Sequence, residues 1–164
     1  MIQRLQTLYL LIVFILCIVS LCSTIGGYNY GGEPIADFSN FTFKTLKDPF
    51  NNVNATGPWA LGVIQIVVAL LSLYTILKFN KRVLQMRLTI FNIVLLCGYL
   101  LAYAFFAWIY KQKLDEVVDS AENQVSFLTK LTAIYPLVSV ILCFLAFKGI
   151  RKDEKLVRSL ERIR

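Results

Sequence analysis

The stretch PWALGVIQIVVALLSLYTIL, residues 58–77, decides the fold because it contains no charged side chain. As an α-helix rising about 1.5 Å per residue, it would cross the roughly 30 Å hydrocarbon layer of a bilayer. Proline suits the first turn of a helix and tryptophan suits the membrane interface, so Pro58 and Trp59 mark a plausible entry point. The segment therefore predicts a transmembrane helix.

Three further uncharged runs, at residues 5–25, 88–110 and 131–147, have the same character. The composition agrees, since 57% of the residues are hydrophobic and 16% are charged, against roughly 25% charged in a soluble domain. A cleaved signal peptide is the alternative for 5–25. Its apolar region would be only about 7–15 residues long, so we favour an uncleaved span. The sequence predicts four spans.

The distribution of Lys and Arg predicts the orientation, because cytoplasmic loops are rich in these residues. Twelve of the 17 lie at the two termini and in the short second connection, which predicts that both termini are cytoplasmic. These twelve are Arg4, Lys78, Lys81, Arg82, Arg87, Lys148, Arg151, Lys152, Lys155, Arg158, Arg162 and Arg164. A basic balance could also indicate nucleic acid, but cations beside span ends fit anionic lipid head groups better. We therefore expect membrane lipids as partners and no nucleic acid.

The two exported segments differ in pattern. Residues 41–46 alternate and are rich in β-formers, so they predict a strand in the loop 26–57, which residues 28–30 could join. Its aromatic side chains could form a ligand surface or pack the loop onto the helices, and we favour packing. Apolar residues spaced by three and four over 111–130 predict a helical hairpin with a break near residues 120–123. Four carboxylates there fit solvated helix charge better than a cation site.

The fold class predicted is an all-α membrane protein, a single domain over residues 1–164. It is a four-transmembrane-helix antiparallel bundle with a small β-containing periplasmic loop at 26–57, a periplasmic helical hairpin at 111–130 and a helical cytoplasmic tail at 148–164.

The residues offer little catalytic chemistry. The chain has no histidine, which removes the commonest acid/base residue and metal ligand. The spans contain no ionisable Asp, Glu, Lys or Arg, and their four cysteines favour packing as small hydrophobes. We expect no enzyme activity, no cofactor and no metal. Gln65 and Asn92 are the two span side chains that most need a polar partner, and we interpret them as intramembrane contacts between helices.

Two terminal motifs carry a family resemblance. The opening MIQRLQTLYL at 1–10 and the ending IRKDEKLVRS at 150–159, followed by RIR at 162–164, resemble a family of uncharacterised small membrane proteins from Bacteroidota. The family is a domain of unknown function with four helices. The resemblance implies a bacterial inner-membrane location, and it implies no activity or residue roles. It also implies that the glycosylation sequons at Asn40 and Asn54 are chance matches.

Both motifs fall on the predicted cytoplasmic face, where they could meet. We predict one interaction patch there, formed by Gln3, Arg4, Gln6, Asp153, Glu154 and Arg158. The function expected is that of a non-catalytic interaction or accessory subunit of an inner-membrane complex, with other membrane subunits as partners. The alternative is a lipid, quinone or small-hydrophobe binding protein or minor transporter, which would show an apolar cavity near Gln65 and Asn92.

Overall fold

The computed structural model of the protein describes residues 2–46, 56–78, 82–117 and 125–161. Within these ranges the side chains of residues 2–5, 82, 155 and 157–161 are not described.

Four helices form the body of the described chain. Each contacts the next along the chain, and the first and last helices also contact each other, which closes a ring. The helices are α1 (Ile2–Cys22), α2 (Trp59–Leu77), α3 (Arg82–Asp115) and α4 (Ile134–Glu161). A single 3-10 turn at Leu131–Ala133 precedes α4.

Three of these helices are long and apolar enough to cross a membrane. The stretches are Trp59–Leu77, Val83–Asp115 and Leu131–Glu154, and they correspond to the predicted spans 58–77, 88–110 and 131–147. In α1 the apolar stretch found among the described residues, Gln6–Cys22, is shorter.

An antiparallel sheet of four strands caps one end of the helices, in the order β3-β2-β1-β4. The strands are β1 (Thr24–Tyr30), β2 (Glu33–Ser39), β3 (Phe43–Thr45) and β4 (Ser126–Thr129). Only Ser23 separates α1 from β1, and β4 leads through Lys130 and the 3-10 turn into α4. The central strand β1 therefore continues the first helix, and the edge strand β4 leads into the last one.

A tight hairpin joins β1 to β2. Its two turn residues, Gly31 and Gly32, have φ angles of 59° and 86°. Positive φ at both central positions is the geometry of a type I′ turn, which matches the twist of paired strands and which glycine adopts without a steric cost. These glycines therefore create a hairpin and do not merely interrupt a helix.

The predicted all-α class is wrong, because the sheet is a structural layer of its own. The loop prediction placed a strand at 41–46, and β3 occupies Phe43–Thr45, but β2 was not predicted. Of the helical hairpin predicted over 111–130, residues 111–115 are the end of α3, and the predicted break near residues 120–123 lies outside the described part of the chain. Residues Ser126–Thr129 pair with β1, and this long-range backbone pairing overrides the helical spacing of the local apolar residues.

Two apolar clusters form the core. One lies between the sheet and the neighbouring end of α3 and includes Tyr28, Phe38 and Tyr110. The other lies between the helices and includes Val13, Val68, Leu96 and Cys143.

Candidate functional site

The inner face of α2 carries polar side chains while its outer face is apolar. Gln65, Ser72 and Thr75 are fully buried, whereas Leu70 on the same helix is 60% exposed and Leu77 is 66% exposed. Soluble proteins show the opposite distribution, with polar groups outside and apolar groups inside. This arrangement suits a helix whose outer face meets hydrocarbon.

Most buried hydroxyl groups in the helices donate a hydrogen bond to a backbone carbonyl of their own helix. Ser72 donates to the carbonyl of Ala69 at 2.7 Å, and Thr89 donates to the carbonyl of Gln85 at 2.8 Å. Ser and Thr side chains are short enough to reach back to their own helix in this way. These hydroxyls therefore require no partner on another helix.

The two predicted intramembrane amides behave differently. Gln65 on α2 and Asn92 on α3 are both fully buried. Neither the amide nitrogen nor the amide oxygen of either side chain has a hydrogen-bond partner among the described residues. Each amide offers two donors and one acceptor oxygen. Buried polar atoms are normally paired, so each amide is a candidate contact for water or for a small molecule bearing a carbonyl or hydroxyl group.

At the other end of the helices, the N-terminal part of α1 meets the C-terminal part of α4. The Gln6 side-chain nitrogen donates to an Asp153 carboxylate oxygen at 2.8 Å, and both side chains are buried. Gly149 makes this approach possible, because a Cβ at that position would lie 2.9 Å from Cγ of Gln6. A hydrogen bond to an ionised carboxylate is stronger than one between neutral groups.

This contact brings together two residues of the predicted interaction patch. Glu154 follows on the same helix and is half-buried. The side chains of Gln3, Arg4 and Arg158 lie outside the part of the chain whose side chains are described. The patch as a partner-binding surface stays a prediction.

Asn40 connects the sheet to three helices, a structural role that was not predicted from the sequence. Its side-chain nitrogen donates to the carbonyl of Ser20 in α1 at 2.7 Å, and its side-chain oxygen accepts from the Tyr99 hydroxyl of α3 at 2.8 Å. Its backbone carbonyl accepts from the Gly62 amide of α2 at 3.2 Å. Asn40 is fully buried, which is incompatible with glycosylation at this sequon. In the sequence, Asn40 is marked only by its glycosylation sequon, which does not indicate these hydrogen bonds.

The aromatic side chains of the first loop pack mainly onto α3, as the favoured interpretation predicted. Tyr28 and Phe38 are fully buried, and the Tyr28 hydroxyl donates to the carbonyl of Ala107 at 2.8 Å. The Phe38 and Tyr103 rings stack with centroids 5.7 Å apart, and those of Phe43 and Tyr110 with centroids 4.5 Å apart. Burial raises the pKa of Tyr28 above its ordinary value, so its hydroxyl remains protonated as a donor.

An ion pair fixes the sheet near the start of α4. The Lys130 ammonium lies 2.8 Å from an Asp37 carboxylate oxygen and 3.0 Å from the Thr24 hydroxyl. It joins β1, β2 and the segment after β4, and both charged side chains are 37% exposed. We interpret it as a structural contact that orients the sheet. Exposed pairs of this kind contribute about 0.2–1 kcal/mol.

The described residues contain no group of three His, Cys, Asp or Glu side chains placed to hold a metal ion. The four cysteines are free: Cys17 and Cys143 are buried, and Cys22 and Cys97 are exposed. The candidate binding features are therefore the unpartnered amides, the contact between Gln6 and Asp153, and the exposed faces of the helices.

Fold and site together define a mainly helical protein with three candidate membrane spans, a polar inner face and a sheet at one end. The chain belongs to the family described as Domain of unknown function (DUF4293), which matches residues 2–163. This confirms the family resemblance carried by the two terminal motifs. Neither curated proteins nor solved structures give a significant match.

Proposed function

We propose that the chain is an integral protein of a bacterial inner membrane in which α1 is a fourth span, packed with the other three as an antiparallel bundle. At about 1.5 Å per residue, the 21 residues of α1 measure roughly 31 Å, close to the thickness of the hydrocarbon layer. Exposed apolar side chains along α1, including Leu8, Leu11 and Ile15, support this placement. The count of Lys and Arg supports cytoplasmic termini and a periplasmic sheet.

Within this membrane the function we propose is that of a non-catalytic interaction subunit, which binds a transmembrane helix of another subunit. The observation that carries the proposal is Gly98, which is exposed on α3. Beyond its chain neighbours and the adjoining helix backbone, no described atom lies within 4 Å of where a Cβ would stand. The other two helix glycines are used internally. A Cβ at Gly62 would collide with the Phe41 ring, and one at Gly149 would crowd Gln6.

Glycine inside a helix is less favourable than alanine by about 1 kcal/mol. Internal packing explains this cost at Gly62 and Gly149, but not at Gly98. In membranes, small residues let a second helix approach the backbone closely. Gly98 is flanked on the same face by Val94, Leu101 and Phe105, which are 60%, 75% and 57% exposed. A small residue between large exposed ones forms a notch that a partner helix can fill.

Cys97, exposed beside this notch, provides the test. The tagged protein is treated in native membranes with a cross-linker that has one thiol-reactive and one photoreactive end, so that the partner needs no cysteine. It is then purified in mild detergent, and its adducts are identified by mass spectrometry. We expect one adduct of defined mass that disappears in Cys97→Ser and persists in Cys22→Ser, because Cys22 is also exposed but lies at the sheet end of α1.

A second pair of variants separates specific contact from general hydrophobicity. Gly98→Leu should fill the notch and abolish the adduct, whereas Val63→Phe adds apolar bulk at an exposed position on a different helix, α2, and should leave it intact. An adduct that survives Gly98→Leu, or a protein that remains a lone chain in mild detergent without any Cys97-dependent adduct, would refute the proposal.

The unpartnered amides favour a second candidate function, the binding of a small polar-headed hydrophobic molecule such as a quinone or lipid between the helices. Carbonyl oxygens of such a guest could accept from the amide nitrogens of Gln65 and Asn92, and a hydroxyl could donate to their oxygens. Native mass spectrometry of the lone chain tests it. A stoichiometric small molecule that is lost in the double variant Gln65→Leu/Asn92→Leu supports binding, and a mass equal to that of the bare chain contradicts it.

A further inference from the structure

At the end of α4 that is remote from the sheet, acidic and basic side chains lie on opposite sides of the helix. Asp153 points inward to Gln6 and is buried, while Lys148, Arg151 and Lys152 are exposed on the outer side. The outer surface there is therefore cationic, although the sequence around it alternates basic and acidic residues. This separation is a property of the folded helix, since it depends on which side of α4 packs against α1.

These three cations line a surface groove together with two aromatic rings. The groove has a volume of about 420 Å³ and is bordered by Phe144, Phe147, Lys148, Arg151 and Lys152. The aromatic rings come first along the helix and the cations follow, so the groove is apolar toward the middle of the span and positive toward its end.

The chemistry of the groove is matched to one class of ligand. The Lys148 ammonium lies 5.3 Å from the centroid of the Phe144 ring, which keeps this cation close to the apolar surface. Arg151 can present two parallel donors to a phosphate group. An anionic group bearing an apolar chain would satisfy both halves of the groove at once.

We propose that this groove binds an anionic phospholipid, with the headgroup phosphate held by Lys148, Arg151 and Lys152 and an acyl chain lying along Phe144 and Phe147. The charge complementarity and the position at the end of the apolar stretch Leu131–Glu154 select a lipid over a free anion. The site lies on α4, whereas the notch at Gly98 lies on α3, so either proposal can fail while the other holds.

The test uses the full-length protein in nanodiscs of equal parts dioleoyl-phosphatidylglycerol and dioleoyl-phosphatidylethanolamine, with retained lipids counted by native mass spectrometry. We expect the wild type to retain phosphatidylglycerol preferentially. Each cation near an anionic surface is worth about a fivefold change in affinity, so Lys148→Gln/Arg151→Gln/Lys152→Gln should weaken retention about 100-fold and Arg151→Gln alone about fivefold.

A triple variant at the sheet end, Lys44→Gln/Lys111→Gln/Lys113→Gln, removes the same charge elsewhere and should leave retention unchanged. Phe144→Ser should weaken retention of the two-chain lipid while leaving the charges in place. Equal retention of both lipids by the wild type, an equal loss in both triple variants, or displacement of the lipid by inorganic phosphate at millimolar concentration would each overturn the proposal.

Discussion

In the part of the chain that the structure describes, buried side-chain amides are hydrogen-bonded at the sheet end of the molecule but not in the middle of its helices. At the sheet end, Asn40 is fully buried and its side chain is paired on both sides. In the helices, Gln65 and Asn92 are equally buried and their amides have no partner among the described residues. The difference indicates that Asn40 has a structural task, which the two helix amides do not share among the described residues. Substitution by leucine should therefore have different consequences in the two regions.

The largest effect is expected for Asn40→Leu. The variant would leave the buried Tyr99 hydroxyl without its partner, and an orphaned polar group costs about 1–3 kcal/mol. The Ser20 carbonyl would also lose its 2.7 Å hydrogen bond and keep the longer one, of 3.4 Å, from the Ser23 amide. We expect a loss of about 3 kcal/mol in the free energy of unfolding, measured by chemical unfolding in detergent micelles. Asn29→Leu, a half-buried asparagine of β1, is the control and should change stability little. An equal effect of both substitutions would remove the special role of Asn40.

A somewhat smaller loss is expected for Gly62→Val, which tests the same sheet-to-helix contact through shape. The added side chain would collide with the Phe41 ring and push it off α2. Overpacking typically destabilises by about 1–3 kcal/mol. Thermal unfolding followed by circular dichroism measures the change. Gly98→Val is the matched control, because its position is open, and a similar loss there would contradict the distinction between the two glycines.

Gln6→Leu should cost about 1–2 kcal/mol in unfolding free energy, because a buried carboxylate oxygen of Asp153 would lose its donor. The double variant Gln6→Leu/Asp153→Leu should cost less than the sum of the two single substitutions, because each of them already removes the shared hydrogen bond. A double-mutant cycle in micelles measures the coupling. Additive effects of the two substitutions would show that the contact between α1 and α4 is energetically unimportant.

The smallest effect is expected for Gln65→Leu/Asn92→Leu. Unpaired buried amides contribute no hydrogen bond, so their replacement should leave the unfolding free energy within about 1 kcal/mol of wild type, or raise it. Chemical unfolding of the lone chain in micelles measures this. A clear loss of stability would contradict the statement that these amides lack hydrogen-bond partners, and native mass spectrometry would then distinguish a bound small molecule from water.

Sequence patterns predicted the helices better than the sheet. The uncharged run at 58–77 needs only local information, because hydrocarbon requires apolar side chains and an internally bonded backbone. The strand Ser126–Thr129 depends on β1, about a hundred residues earlier, and its apolar spacing is compatible with a helix when read alone. The consecutive glycines Gly31 and Gly32 are a local signal for a hairpin turn, which the strand prediction for the loop 26–57 did not use.

The candidate sites divide in the same way. Gln65 and Asn92 stood out because amides are rare inside apolar runs, and Gln6 and Asp153 were placed in one patch because the positive charge count put both termini on the same side. Asn40 could not be found, because its partners Ser20 and Tyr99 lie in different helices and no local spacing connects them. The groove on α4 likewise depends on which side of the helix is buried.

The first and last helices are joined at both ends, by β1 and β4 at one and by Gln6 and Asp153 at the other, a separation of 147 residues. A ribosome makes α1 first and its partners last, so α1 must wait in the membrane through nearly the entire synthesis of the chain. Until α4 is synthesised, the Gln6 amide of α1 and the edge of β1 that pairs with β4 lack their native partners. The packing of α1 against α4 is thus the last step in folding. Nascent chains halted before residue 126 should be the forms that quality-control proteases remove.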